Sequence, residues 1–168
     1  MQEVVQTGSI ASQLEENGTK GRFQWLFLAT AAVFFVVDLI LKWTAMSYGA
    51  KFFLGPIGFE LFLNKGIIFS LPVPKTIYLP IATAAWLAMT AWLAIETKKR
   101  GSNIPGLTFI VLGAASNLFD NFRFGATVDY LIFFSRSAIN LADIMIVIGV
   151  LLLIATGQRK TAPEKTAN

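Results

Sequence analysis

Asp129 and Asp143 are the two residues whose type and spacing most directly suggest chemistry. They flank a short loop, and Asp143 sits inside the start of a long apolar run ending near Gly157. A carboxylate inside such a run costs about 2.5–3.5 kcal/mol on insertion scales. Two carboxyls brought within a few ångströms cannot both ionise easily, so one keeps a proton. Such a pair needs no histidine. The ionised member takes a proton from water as it attacks a carbonyl, and the protonated member donates to the carbonyl oxygen. The competing reading is two helix-end aspartates acting as caps. Spacing alone leaves both open.

The composition limits the other possibilities. The chain has 168 residues, no cysteine and no histidine. Disulfides, thiol catalysis and thiolate metal sites are excluded. The usual general base, triad partner and commonest metal ligand are also missing. Acid–base chemistry is left to Asp, Glu, Lys or Tyr, and no cofactor or metal is expected.

The elements that must position these carboxylates are membrane helices. The sequence is 55% hydrophobic and 14% charged, against about 25% charged for soluble domains. Four segments are long and apolar enough to span: about Phe23–Met46, Thr76–Ile95, Ile104–Phe122 and Ala138–Thr156. Basic residues flank them: Lys20 and Arg22, Lys98 to Arg100, then Arg159 and Lys160. The positive-inside rule therefore places both termini and the middle loop in the cytoplasm. The loops at about Ser47–Lys75 and Arg123–Ser137 face outward. The net charge of +4 is spent on topology and implies no nucleic-acid partner. Residues 1–22 and 158–168 read as cytoplasmic tails, the first disordered, around a membrane domain at 23–157. In the outward loop 47–75, GFELFLNKGIIFS shows partial alternation and suggests short strands.

Helix rise acts as a ruler. Asp38 lies sixteen residues beyond Arg22, Asn117 seventeen beyond Arg100, and Asp143 sixteen before Arg159. Each is roughly 24–25 Å from the cytoplasmic flank of a core about 30 Å thick. Three helices thus carry a polar residue at one depth in the outer leaflet. Asp120, Asp129, Asn140 and Asn64 fall at or above that level, and the inner helix halves are almost wholly apolar. Asp38 and Lys42 stand four apart, which suits a neutralising ion pair, with substrate orientation as a lesser role. Asp120 reads equally as a helix-end group or a site residue. Ser70 reads as a turn serine before Pro72, since no lysine is placed to activate it.

Five motifs then occur in order: Asp38-Leu-Ile-Leu-Lys42, Asn64-Lys-Gly66-Ile-Ile-Phe69-Ser70, Gly113-Ala-Ala-Ser-Asn117-Leu-Phe-Asp120, Val128-Asp129-Tyr130 and Asn140-Leu-Ala-Asp143. From about Phe23 to Gly157 the chain resembles the lipoprotein signal peptidases, the signal peptidase II family of bacterial membrane aspartyl proteases. The resemblance implies an all-α transmembrane fold of four helices with a small extracytoplasmic β-rich element. It implies removal of signal peptides from diacylglyceryl-modified prolipoproteins, with cleavage just before the lipidated cysteine. It makes Asp129 and Asp143 the catalytic dyad. Asn64, Gly66, Asn117 and Asn140 match residues that line or support the site. Globomycin-type inhibitors and membrane lipids are the further partners it implies, and the bacterial inner membrane is the location.

The chain departs from the family where Asn121 follows Asp120, a position usually held by Arg. Arg123, two residues on, is the candidate replacement. Ala114 and Ser116 stand for glycines, and the segment between Asp129 and Asp143 is short. A non-catalytic relative that binds lipidated peptides is one alternative. A small proton-coupled transporter using Asp38, Asp129 and Asp143 is another, though its relay would have to cross apolar inner helices.

Overall fold

The computed structural model describes residues 2–49, 51–65, 74–134 and 137–161, with side chains described from Gln24 to Gln158 within those segments. The elements run α1 (Gln2–Tyr48), β1 (Phe52–Leu54), β2 (Ile57–Asn64), α2 (Lys75–Lys99), α3 (Ile104–Phe124), β3 (Thr127–Phe133), β4 (Ser137–Ile139) and α4 (Leu141–Thr161). The expected helices and small sheet are present. Among the described residues, three helical segments are long and apolar enough to cross a membrane: Gln24–Tyr48, Lys75–Lys99 and Leu141–Gln158.

Two boundaries correct the sequence reading. The first helix begins at Gln2, so the stretch expected to be a disordered tail is continuous with the apolar helix. Polar composition argued against burial there, and helix formation does not require burial when the turn continues from a formed helix. The last helix begins at Leu141 rather than near Ala138, because Ser137–Ile139 pair with β3 and Asn140 caps the helix. Gly66 and Ser70 lie outside the described residues.

Helix α3 is the centre of the bundle and packs against α1, α2 and α4. Its glycines allow a close approach to α4. A Cβ added at Gly113 would sit 2.6 Å from the Ala142 carbonyl oxygen, and one at Gly149 would sit 2.6 Å from that of Gly106. Small residues at such crossings let backbones touch in a membrane, where lipid competes equally for apolar side chains. Farther in, Ala31, Phe109 and Met145 form a buried cluster. Phe34 meets Phe109 edge to face at 6.1 Å. Replacing Gly113 with Ala is expected to lower stability by about 1–3 kcal/mol, the usual effect of overpacking. A thermal melt in detergent checks this, and an unchanged midpoint would refute the close-packing argument.

The strands form one antiparallel sheet in the order β1-β2-β3-β4. Its register breaks once. Phe59 pairs with Leu131 but Phe62 pairs with Asp129, so Glu60 and Leu61 together oppose Tyr130. That bulge adds one residue to β2 and reverses which of its side chains face each way. As a result Asn64, opposite Thr127, shares a face with Asp129. Without the bulge it would point to the other side of the sheet. Tyr130 and Val128 alternate to the opposite face and are fully buried.

Candidate active site

Asp129 enters the site from β3 and is 1% exposed. Its Oδ2 accepts a hydrogen bond from Asn64 Nδ2 at 2.9 Å. Its Oδ1 accepts one from Asn140 Nδ2 at 2.8 Å. Asp143 enters from the first turn of α4. Its Oδ1 accepts from Asn117 Nδ2 at 2.8 Å, and its Oδ2 accepts from the Asn140 backbone N–H at 3.2 Å. In return the Asp143 N–H donates to Asn140 Oδ1 at 2.9 Å. This reciprocal pair is a capping box at the start of α4. The capping reading therefore holds for Asp143, but it uses only one carboxylate oxygen.

Asn140 links the two aspartates. Its side-chain oxygen serves the Asp143 backbone and its amide nitrogen serves Asp129. The same nitrogen reaches Asn117 Oδ1 at 3.0 Å. Both carboxylates line one cavity of about 280 Å³, together with Asn64, Asn117, Asn121 and Tyr78. Burial, aided by the nearby charge of Asp143, pushes the Asp129 carboxyl up to about 7, against the hydrogen bonds from Asn64 and Asn140.

A second polar group lies behind this cavity, centred on Lys42. Its Nζ is 3.0 Å from Asp38 Oδ2 and 2.7 Å from Asp120 Oδ2. It also donates to Ser116 Oγ at 2.8 Å and to Asn117 Oδ1 at 3.0 Å. The expected Asp38–Lys42 pair is present, and Asp120 completes a buried triad. Ser116 Oγ donates to Asp38 Oδ2 at 2.5 Å, and Tyr130 OH donates to Asp38 Oδ1 at 2.9 Å. Burial, then the charge of Asp38, raise the Tyr130 hydroxyl's pKa and keep it a donor. Asp38 Oδ1 also accepts the Ala142 N–H at 3.2 Å, and Tyr130 OH accepts the Leu141 N–H at 3.0 Å. Two otherwise unpaired donors at the α4 N-terminus are thereby satisfied. Asp120 Oδ2 accepts the Val128 N–H at 3.1 Å, which ties α3 to the strand carrying Asp129.

The hub also orients the site amide. Asn117 Oδ1 accepts from Lys42 and Asn140, so its amide nitrogen faces Asp143. The polar residues placed at one depth by the helical ruler thus join in a single network. Sequence reasoning gave no site role to Tyr130, Ser116, Thr127 or Tyr78. Ser116 carried a signal, since it stands four residues before Asp120 on one helical face. Tyr130 carried another, as strand alternation turns it away from Asp129.

Arg123, the expected replacement for the family arginine, is the exception and lies outside the site. It is exposed, with its guanidinium over the Phe124 ring at 5.5 Å, and it does not join the cavity. Two residues past Asn121 on a helix is about 200° around the axis, which points it away from the site.

The signal peptidase (SPase) II family profile matches residues 30–158. This chain belongs to the signal peptidase II family. The lipoprotein signal peptidase of Nitrobacter hamburgensis is 33% identical, over 76% of this chain and 73% of that protein. That of Vibrio campbellii is 31% identical, over 92% of this chain and 98% of its own length. A solved structure described as a bacterial membrane enzyme shares the fold, with a TM-score of 0.70 at 18% identity. It covers 85% of this chain and 93% of that one. Membership makes the chain a membrane peptidase. The part of the signal peptidase II match from Asp38 to Asp143 contains the whole polar network, so the family region and the site coincide.

Proposed function

We propose that the chain is an intramembrane aspartyl endopeptidase. It removes signal peptides from diacylglyceryl-modified prolipoproteins, cleaving before the lipidated cysteine, with Asp129 and Asp143 as the dyad. One observation carries the reading: the two carboxylates line one cavity and are linked through Asn140. Asn64 and Asn117 support the dyad. All four helices cross the inner membrane, with both termini cytoplasmic and the site near the outer face, where globomycin-type inhibitors compete with substrate.

The raised pKa of Asp129 supports a division of roles within the dyad. Asp143 is the ionised base and Asp129 the protonated acid. Asp143 takes a proton from water while the water oxygen attacks the scissile carbonyl carbon. Asp129 gives its proton to the carbonyl oxygen, producing a neutral gem-diol. As that collapses, Asp143 returns its proton to the leaving nitrogen, and Asp129 recovers one from a diol hydroxyl. The dyad ends as it began.

Purified protein incubated with a diacylglyceryl-modified prolipoprotein should release the signal peptide, followed by mass. Substrate that binds without turnover would replace this reading with a non-catalytic lipopeptide binder.

The pH dependence has a definite sign. Because the Asp129 pKa is raised, the proton is held up to about pH 7 and lost above it. Cleavage efficiency, kcat/KM, therefore falls as pH rises through that value. Asn64 stabilises the ionised form through its hydrogen bond. Replacing Asn64 with Ala should move the falling limb to higher pH, and a limb that stays or moves lower would refute the assignment of Asp129 as the acid.

A further inference from the structure

Helix α2 is weakly attached. It has no buried residue and packs on α3, with no comparable packing against α1 or α4 among the described residues. At the inner turn Glu96 Oε2 accepts the N–H of Asn103, the α3 N-cap, at 3.4 Å, and among the described residues three further polar contacts tie α2 to the body of α3. Trp86 Nε1 donates to the Val111 carbonyl at 3.0 Å in mid-helix. The other two lie at its outer end and converge on one residue. Lys75 Nζ donates to the Asn121 carbonyl at 2.7 Å, and Tyr78 OH donates to Asn121 Oδ1.

Asn121 is itself held on both other sides. Its Nδ2 donates to the Asn117 carbonyl at 2.9 Å and to Thr127 Oγ1 at 2.7 Å. It is 6% exposed. The cavity holding the two aspartates is walled by Tyr78 and Ala82 from α2, and by Asp143 and Ile146 from α4. Its α2 wall is thus positioned by groups that meet at Asn121, while α2 and α4 lack close packing across the gap.

We propose that Asn121 is a latch: through Tyr78 and Lys75 it holds the outer end of α2 and sets the width of the α2–α4 entrance by which a lipid-bearing peptide reaches the dyad. Tyr78 and Asn121 are positioning residues that act on substrate entry rather than on the bond-breaking step. This inference rests on the peptidase reading above for its kinetic consequence, but not for its structural one. The physical basis is the imbalance of attachments. The mid-helix indole contact serves as a pivot, and the outer turn is held by hydrogen bonds that can exchange partners, not by a packed apolar face.

The absence of cysteine makes a direct test possible. Spin labels at I77C on α2 and V147C on α4, both exposed, would carry the only nitroxides, so their distance reports the gap. Tyr78→Phe and Lys75→Gln in that background are expected to lengthen or broaden the distance distribution. Without the labels, Tyr78→Phe should change KM for the diacylglyceryl prolipoprotein by about fivefold, the scale of one net hydrogen bond, and change kcat by less. An unchanged distance in folded variants would overturn the latch, and so would a loss confined to kcat. If the wild-type protein fails to cleave, the peptidase reading falls, while the distance measurement still decides the latch.

Discussion

Asp129→Asn and Asp143→Asn should each reduce signal-peptide release by about 10²–10⁴-fold, the contribution of a positioned proton donor or acceptor. The two losses should not add, because the water attack and the carbonyl protonation use the pair together. Stability should separate the two variants from simple misfolding. The Asp129 carboxyl is buried and resists ionisation, so a neutral amide of the same shape replaces it at little cost. The Asn64 amide can turn its oxygen toward the new donor, which preserves the 2.9 Å contact. Asp129→Asn should therefore melt close to wild type at acid pH and gain on it as pH rises from the ordinary carboxylate range to about 7, the window in which the unfolded carboxyl ionises and the native one does not, with no further change above it. Asp143→Asn loses part of the capping box and should melt slightly lower, by about 1 kcal/mol. Full cleavage by either folded variant would remove the dyad from the mechanism.

Lys42→Met is expected to have the largest effect on stability. The ammonium is 3% exposed and lies between Asp38 and Asp120, which are 0% and 2% exposed. Removing it leaves two buried carboxylates facing each other without a counter-charge. Breaking a buried ion pair in this way costs about 3–5 kcal/mol, a fall in melting temperature of order 10 °C for a chain of this size. Activity should fall as well, since Asn117 Oδ1 loses the donor that helps turn its amide toward Asp143. The triple variant Lys42→Met, Asp38→Asn, Asp120→Asn removes the charges together and should recover most of the stability. Its failure to do so would show that the triad stabilises through its hydrogen bonds to Val128, Ala142 and Tyr130 more than through charge balance.

Comparison of Asp38 with Asp129 shows where sequence reading succeeds and stops. The helical ruler and the apolar runs placed Asp38, Asn117 and Asp143 at one level, and the three do meet in one network. Depth along a helix follows from a fixed rise per residue, so it is legible without a structure. Lateral neighbours are not. Asp38 and Asp120 share that level with the dyad, yet they pair with Lys42 behind the cavity. Which carboxylates meet an ammonium and which meet amides depends on helix rotation and on the close α3–α4 crossing at Gly113.

The sequence alone determined the membrane class, the lack of thiol and imidazole chemistry, the ordered motifs and the candidate aspartates. These rest on residue type and on local periodicity. Only the tertiary structure decided that Asn64 faces Asp129, because one extra residue in β2 reverses the alternation of the strand. It also excluded Arg123 from the cavity and gathered α2, α3 and β3 on Asn121. Those outcomes depend on contacts between segments distant in the chain, where one residue of register or a fraction of a helical turn selects the partner, and no local pattern encodes that choice.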